Sequence, residues 1–133
     1  MKVTKENFRD FISAYEEDEL FYRDVYLHET QHPETFPEYL ETLDKDYIIQ
    51  HKIFIPAIHN KEWVPYMEEN DLFVNIPGNI LLSKHYRYTP VFTHQHEFFE
   101  ILCVYEGTVN TTIQGIQHML KEGDICIIPP NTK

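Results

Sequence analysis

Apolar residues in the first part of the chain recur at helical spacing. The stripe consists of Phe8, Phe11, Ile12, Tyr15, Phe21, Tyr22 and Val25. With Thr4 ahead of it as an N-cap residue, the stripe predicts a helix from about residue 5 to residue 26. A shorter helix is predicted at residues 38–43, and residues 47–58 fit no single element. The acidic run at residues 16–19 is interpreted as the solvated face of the first helix rather than as a functional patch.

After residue 70 the pattern changes to short β-type runs separated by turn residues. Six strands are predicted, at residues 72–74, 80–88, 98–105, 109–114, 116–120 and 125–128. Glycine, proline or asparagine follows most of them, which is typical of an all-β sandwich or barrel. The chain is therefore expected to consist of an acidic helical or mixed segment at residues 1–70, packed on a β-barrel at residues 71–133.

Charge separates the same two parts. The 133 residues carry 11 Lys and Arg against 22 Asp and Glu, a net charge of -11, of which residues 1–70 contribute -9 and residues 71–133 contribute -2. Such a surface repels phosphate, so this stretch of chain is not expected to contact DNA itself. No apolar run is long enough for a membrane span and no signal peptide is recognisable, which predicts a cytoplasmic location. Cys103 and Cys126 lie in apolar runs and are interpreted as buried thiols.

The residues with the most chemical information are His94, His96 and Glu100. They have the same parity, so a regular strand would project all three side chains from one face. Two histidines and a carboxylate form a facial set that can hold a divalent metal. The favoured interpretation is a polar ligand pocket, in which the imidazoles and the carboxylate bind the hydroxyls of a sugar-like or other polar molecule. An ion pair between Glu100 and one histidine is a further alternative.

Apolar residues occupy both faces of the same run. Phe98 shares the parity of the histidines and is expected to form an apolar wall of the pocket. The opposite face carries Phe99, Ile101, Cys103 and Tyr105. A strand that is apolar on both sides has to be covered on both sides, so we expect the N-terminal helix, a second sheet or a partner subunit to cover this face.

Two motifs carry a family resemblance. Residues 94–107 resemble the first cupin motif and read HQHEFFEILCVYEG; residues 123–129, from Gly123 to Pro129, are similar to the second. Together with the ending GDICIIPPNTK, they resemble the N-terminal effector-sensing domain of AraC-type transcriptional regulators. The resemblance covers about residues 80–133.

This resemblance implies a mainly β fold, a cupin-like barrel of the double-stranded β-helix or jelly-roll type, preceded here by the helical segment. It also implies that the domain binds a small polar effector, forms a homodimer and controls a DNA-binding helix-turn-helix region outside this chain. No catalytic residue and no cofactor are expected. The alternatives are a small metal-dependent cupin enzyme, an isomerase or dioxygenase with His94, His96 and Glu100 as ligands, and a metal-free cupin used only for assembly.

The chain departs from the family pattern at three places. Tyr88 stands where the broader cupin pattern has a glycine before its first histidine, and Asn131 stands where the second motif has a glycine. A further histidine of the pattern would lie just beyond Lys133, so we expect a barrel that is truncated at its C-terminal end.

Overall fold

The computed structural model describes residues 4–59, 66–69 and 78–133. The chain forms two compact units, Met1–Lys61 with Leu82–Val91, and Glu62–Leu81 with Phe92–Lys133. Residues 82–91, expected in the barrel, therefore belong to the first unit. The division predicted at residue 70 lies outside the described residues, as does the strand predicted at residues 72–74, and the packing of residues 1–70 on a barrel stays a prediction.

The described part of the first unit contains four helices. These are α1 (Phe8–Ser13), α2 (Glu17–Gln31), α3 (Phe36–Thr42) and α4 (Lys45–Gln50). The single helix predicted over residues 5–26 is wrong, since the chain leaves helical geometry between α1 and α2. The short helix predicted at residues 38–43 is confirmed as α3, and α4 occupies the start of the segment that fitted no single element.

Capping explains where the second helix begins. Ala14, which follows α1, has extended backbone (φ -61°, ψ 141°). Glu16 and Glu19 then form a capping box, in which each side chain accepts a hydrogen bond from the backbone N–H of the other. This arrangement satisfies two N–H groups that a helix start would otherwise leave unpaired. The break between α1 and α2 therefore follows from local hydrogen bonding, which the spacing of apolar residues does not indicate.

The core of the first unit lies between α2 and the chain around α4. Its buried side chains are Tyr22, Val25, Ile48, Ile53 and Ile55. The hydroxyl of Tyr22 accepts a hydrogen bond of 3.0 Å from the backbone N–H of Phe54, which pairs a buried donor. Tyr22 and Val25 were part of the predicted stripe, so α2 packs through the face that the periodicity indicated.

The acidic run is only partly the solvated face that the sequence indicated, because Glu16 and Glu17 are exposed whereas Asp18 is half-buried and Glu19 is buried. The Glu16 carboxylate accepts a hydrogen bond of 2.8 Å from the Tyr86 hydroxyl. Asp18 accepts one of 2.7 Å from the Tyr47 hydroxyl and lies 2.7 Å from Nδ1 of His51. Burial and the hydrogen bond to Glu16 raise the pKa of Tyr86 to about 12. These carboxylates bind partners that lie far away in the sequence.

Glu19 lies at the centre of the cluster and is fully buried. Its carboxylate lies 2.7 Å from Lys84 Nζ and 2.6 Å from Arg87 Nε, and it also accepts a hydrogen bond of 2.9 Å from the Arg87 backbone N–H. The same two cations donate to carbonyls at the end of α1, Arg87 to Ser13 and Lys84 to Ala14. The cluster therefore fastens residues 82–91 to the junction between α1 and α2.

The two cations also decide the charge of Glu19. Burial by itself would raise the pKa of this carboxyl, but the hydrogen bonds from Arg87 and Lys84 outweigh it and lower the pKa to about 2. Glu19 is thus a buried carboxylate that remains ionised because it is paired.

The described residues of the second unit form three two-stranded sheets. β1 (Tyr66–Met67) runs parallel to β2 (Gln95–His96), β3 (Glu100–Cys103) runs antiparallel to β6 (Ile125–Ile128), and β4 (Thr108–Ile113) runs antiparallel to β5 (Ile116–Lys121). In the tight turn between β4 and β5, Gln114 and Gly115 both have positive φ, which matches the right-handed twist of a hairpin. The strands predicted at residues 109–114, 116–120 and 125–128 are confirmed, and β3 covers the middle of the one predicted at residues 98–105.

The mainly β expectation is only partly met. Residues 80–88 form no strand, because this segment is held by side-chain contacts to Glu19 instead of by a neighbouring strand. The described strands do not close into a barrel. Cys103, interpreted as a buried thiol, is exposed, while Cys126 is half-buried. No helix in the described ranges has the length and apolar character that crossing a membrane requires.

The face of β3 that was expected to be covered is open in this structure. Phe99, Ile101 and Tyr105 are 67%, 60% and 50% exposed. On the paired strand β6, Ile125 and Ile127 are exposed to a similar degree. Coverage by a partner subunit stays a prediction.

Glu19→Gln should change how stability depends on pH. The folded chain holds this carboxyl at a pKa of about 2, below its value in an unfolded chain, so protonation favours unfolding. The stabilisation should be complete above about pH 4.5 and should be lost as the pH falls towards 2. In urea unfolding, the stability of the wild-type chain relative to Glu19→Gln should fall by roughly 3 kcal/mol between neutral pH and a pH below about 2, because only the wild-type chain carries this titrating carboxyl.

Glu17→Gln is the matched control, because Glu17 is an exposed neighbour in the same helix turn. Its difference from wild type should stay small and nearly constant across the range. An equally large, pH-dependent effect in Glu17→Gln would contradict the assignment to Glu19.

Candidate functional site

The three residues singled out by the sequence lie together in the second unit, although the strand that was expected to carry them is not regular. His96 is the last residue of β2 and Glu100 is the first of β3. The chain bends at Glu97 and Phe98, between the two strands. The bend brings β2 and β3 into different sheets while their polar side chains still meet.

His96 is the buried member of the site, with 3% of its surface exposed. Its Nδ1 lies 2.7 Å from the backbone carbonyl oxygen of Phe98, and its Nε2 lies 3.0 Å from a carboxylate oxygen of Glu100. The pair of Glu100 with one histidine, an alternative raised by the sequence, is therefore present. A neutral imidazole carries a single N–H, so in that form His96 donates to only one of these two oxygens.

His94 lies beside His96 and is half-buried. The two imidazole rings are 6.2 Å apart between centroids. Nδ1 of His94 lies 3.4 Å from the carbonyl oxygen of Phe92. One ligand atom from each of His94, His96 and Glu100 lies within 4.8 Å of the others. The three polar groups are thus close enough together to contact one polar atom or ion.

Phe98 contacts His96 through both its ring and its backbone, and its role as an apolar wall of a ligand pocket stays a prediction. Its ring stacks on the ring of His96 with centroids 4.6 Å apart and planes inclined by 10°. Its carbonyl oxygen meanwhile receives the Nδ1 contact. One residue therefore fixes both the plane and the rotation of the buried imidazole.

The second motif supports the first through backbone pairing. β6 places Ile128 opposite Glu100 in the register of the sheet. Just beyond β6, the backbone N–H of Asn131 donates a hydrogen bond of 2.8 Å to the carbonyl oxygen of His96. The two sequence motifs thus meet at the site.

The two departures from the glycine pattern have a common backbone geometry. Asn131 has φ 60° and Tyr88 has φ 66°, the left-handed region in which glycine is unstrained. Asparagine tolerates this region better than most residues, whereas a bulky tyrosine there costs on the order of 1–2 kcal/mol. Contacts in the first unit hold Tyr88, including a tilted ring contact with Tyr26 at 5.4 Å.

Sequence reasoning missed the groups that orient the site. The carbonyl oxygens of Phe92 and Phe98 receive the imidazole nitrogens, and the Asn131 N–H supports the His96 carbonyl. The direction in which a backbone carbonyl points cannot be predicted from the identity of its residue. The one available signal was Asn131 in place of glycine, which indicates positive φ.

Comparison with known proteins agrees with the motifs. Residues 77–133 match the family model described as AraC-like ligand binding domain. The match confirms the resemblance found in residues 80–133 and points to ligand sensing in a regulator rather than to an enzyme. Neither the comparison with curated proteins nor the comparison with solved structures gives a match.

Substitutions at Asn131 should separate backbone strain from side-chain contacts. Both Asn131→Gly and Asn131→Ala remove the side chain, but only alanine is strained at φ 60°. We expect Asn131→Ala to be about 1 kcal/mol less stable than Asn131→Gly in urea unfolding. Equal stabilities would show that the positive φ does not constrain this turn.

Proposed function

We propose, from the match of residues 77–133 to the AraC-like ligand-binding domain, that this chain is the ligand-sensing and dimerisation part of an AraC-family transcription regulator. The effector is a small polar molecule bound within a cupin-like barrel at His94, His96, Phe98 and Glu100. Its binding controls a DNA-binding region outside this chain. The observation that carries the proposal is the meeting of both family motifs at one buried histidine, through the hydrogen bond from Asn131 to His96.

The chemistry of the site supports a hydroxylated effector. The half-buried His94 offers a ring nitrogen that donates or accepts according to its tautomer, and Glu100 accepts through its carboxylate oxygens. The Phe98 ring supplies an apolar surface beside them, suited to the C–H face of a sugar-like molecule. A few convergent polar groups on an apolar wall are typical of a small-molecule site.

The surface supports the remaining parts of the proposal. The net charge of -11 disfavours DNA contact by this chain, so that contact is assigned to a helix-turn-helix region elsewhere. The exposed apolar face of β3 and β6, with Ile101 and Ile127 at 60% and 62% exposure, supports a homodimer because association would remove it from water. A cytoplasmic location follows from the same assignment.

Thermal-shift screening with sugars, polyols and hydroxy acids tests the effector site. A compound that raises the melting temperature of the wild-type chain should bind His94→Ala and Glu100→Gln about tenfold or more weakly, because each change removes a hydrogen bond to a charged or polar group. Circular dichroism should show that both variants keep their secondary structure.

His118→Ala is the matched control, since His118 is an exposed histidine on β5. It should bind the compound as the wild-type chain does. If His94→Ala and Glu100→Gln also bind normally, the effector site lies elsewhere.

A second candidate is a divalent metal held by His94, His96 and Glu100, as in a small metal-dependent cupin enzyme. The Nδ1 contacts favour it, because metal-binding histidines commonly direct one ring nitrogen to a carbonyl and the other to the ion. Two imidazoles and a carboxylate suit zinc, manganese or iron, and a bound ion would supply Lewis-acid chemistry.

Calorimetric titration with Zn²⁺ and Mn²⁺ tests this candidate. If the three residues are ligands, the wild-type chain should bind one ion per chain. His94→Ala or Glu100→Gln should lower the affinity by about tenfold or more, because losing even a residue that hydrogen-bonds to a metal ligand has an effect of that size. His118→Ala should have no effect. Metal binding together with turnover of a small substrate would favour the enzyme, whereas equal titration curves for all variants would exclude this ligand set.

A further inference from the structure

The first unit contains a cavity that is separate from the histidine site. It lies beside α2 and has a volume of about 370 Å³, and its described lining residues all belong to the first unit. Its inner wall includes Tyr22, Val25 and Ile55, all buried, together with the half-buried Phe36. A cavity of this size and apolar character is within the range of small-molecule sites.

The mouth of the cavity has a different composition from its inner wall. The rings of Tyr26 and Tyr88, 46% and 38% exposed, lie 5.4 Å apart at a tilt of 44°. Glu29, exposed on α2, is the one charged residue among the described residues that line the cavity. The mouth therefore combines two aromatic rings and a carboxylate, with no Lys, Arg or His in the described lining.

We propose that this cavity binds a small organic cation, an amine with an apolar body. The apolar body would fill the space against Val25, Ile55 and Phe36. The ammonium group would lie near Glu29 and the faces of Tyr26 and Tyr88, which attract cations through their π-electrons.

The net negative charge of the surrounding chain also favours a cationic ligand. The unit that contains the cavity carries 9 Lys and Arg against 13 Asp and Glu, a net charge of -4, which raises the local concentration of cations and lowers that of anions. An anionic ligand would meet the Glu29 carboxylate with no positive group in the described lining to offset it. This inference is independent of the proposed effector site, because no residue of that site lines the cavity.

Three matched probes test the proposal: 4-phenylbutylamine, 4-phenylbutanol and 4-phenylbutyrate, which share an apolar body and differ in charge. By titration calorimetry and ligand-observed NMR, the amine should bind most tightly, the alcohol more weakly, and the acid not at all. Glu29→Gln should weaken amine binding about three- to fivefold, the range for a partly exposed ion pair, and leave alcohol binding unchanged. Tyr26→Leu should also weaken the amine more than the alcohol.

Two controls locate the effect. Glu34→Gln removes one exposed carboxylate that does not line the cavity, and Glu100→Gln alters the histidine site; neither should change amine binding. The proposal is wrong if no probe binds, if the acid binds as tightly as the amine, or if Glu34→Gln weakens the amine as much as Glu29→Gln does.

Discussion

The buried carboxylate of Glu19 connects two stretches of chain that lie 65 residues apart. It accepts from Lys84 and Arg87, and these cations also satisfy the carbonyls at the end of α1. Removing a carboxylate from water is costly unless it is paired and hydrogen-bonded, and here every contact depends on the others being in place. The cluster therefore holds Lys84 and Arg87, in the segment that forms no strand, against the junction of α1 and α2. Tyr88, at the mouth of the cavity, directly follows Arg87.

The histidine site also contains a buried polar group that needs hydrogen-bond partners. His96 is buried, so both of its ring nitrogens need partners, and they have them in the Phe98 carbonyl and the Glu100 carboxylate. Stacking on Phe98 fixes the ring plane. A site held in this way presents its remaining polar atoms in a defined direction, which a ligand-sensing domain needs if binding is to favour one arrangement of the chain over another.

Local patterns predicted the parts of the fold that depend on neighbours in sequence. The hairpin of β4 and β5 follows from two runs separated by a turn at Gly115, and β6 from an apolar run between Gly123 and Pro129. The helix α3 was also predicted from its local sequence. The motif HQHEFFE located the site because the three polar residues are only six positions apart. The same patterns failed at residues 16–19 and 80–88, since a run of charges carries no information about a cation 65 residues away.

The sequence by itself therefore determined which residues form the histidine site and which family model residues 77–133 match, because spacing and residue type encode these properties locally. Only the tertiary structure decided that Glu19 is buried, that the strand through Phe98 is bent, and that backbone carbonyls orient both histidines. These features arise from contacts between distant segments and from the direction of backbone groups. Burial and hydrogen bonding stabilise these features only once the distant segments have come together.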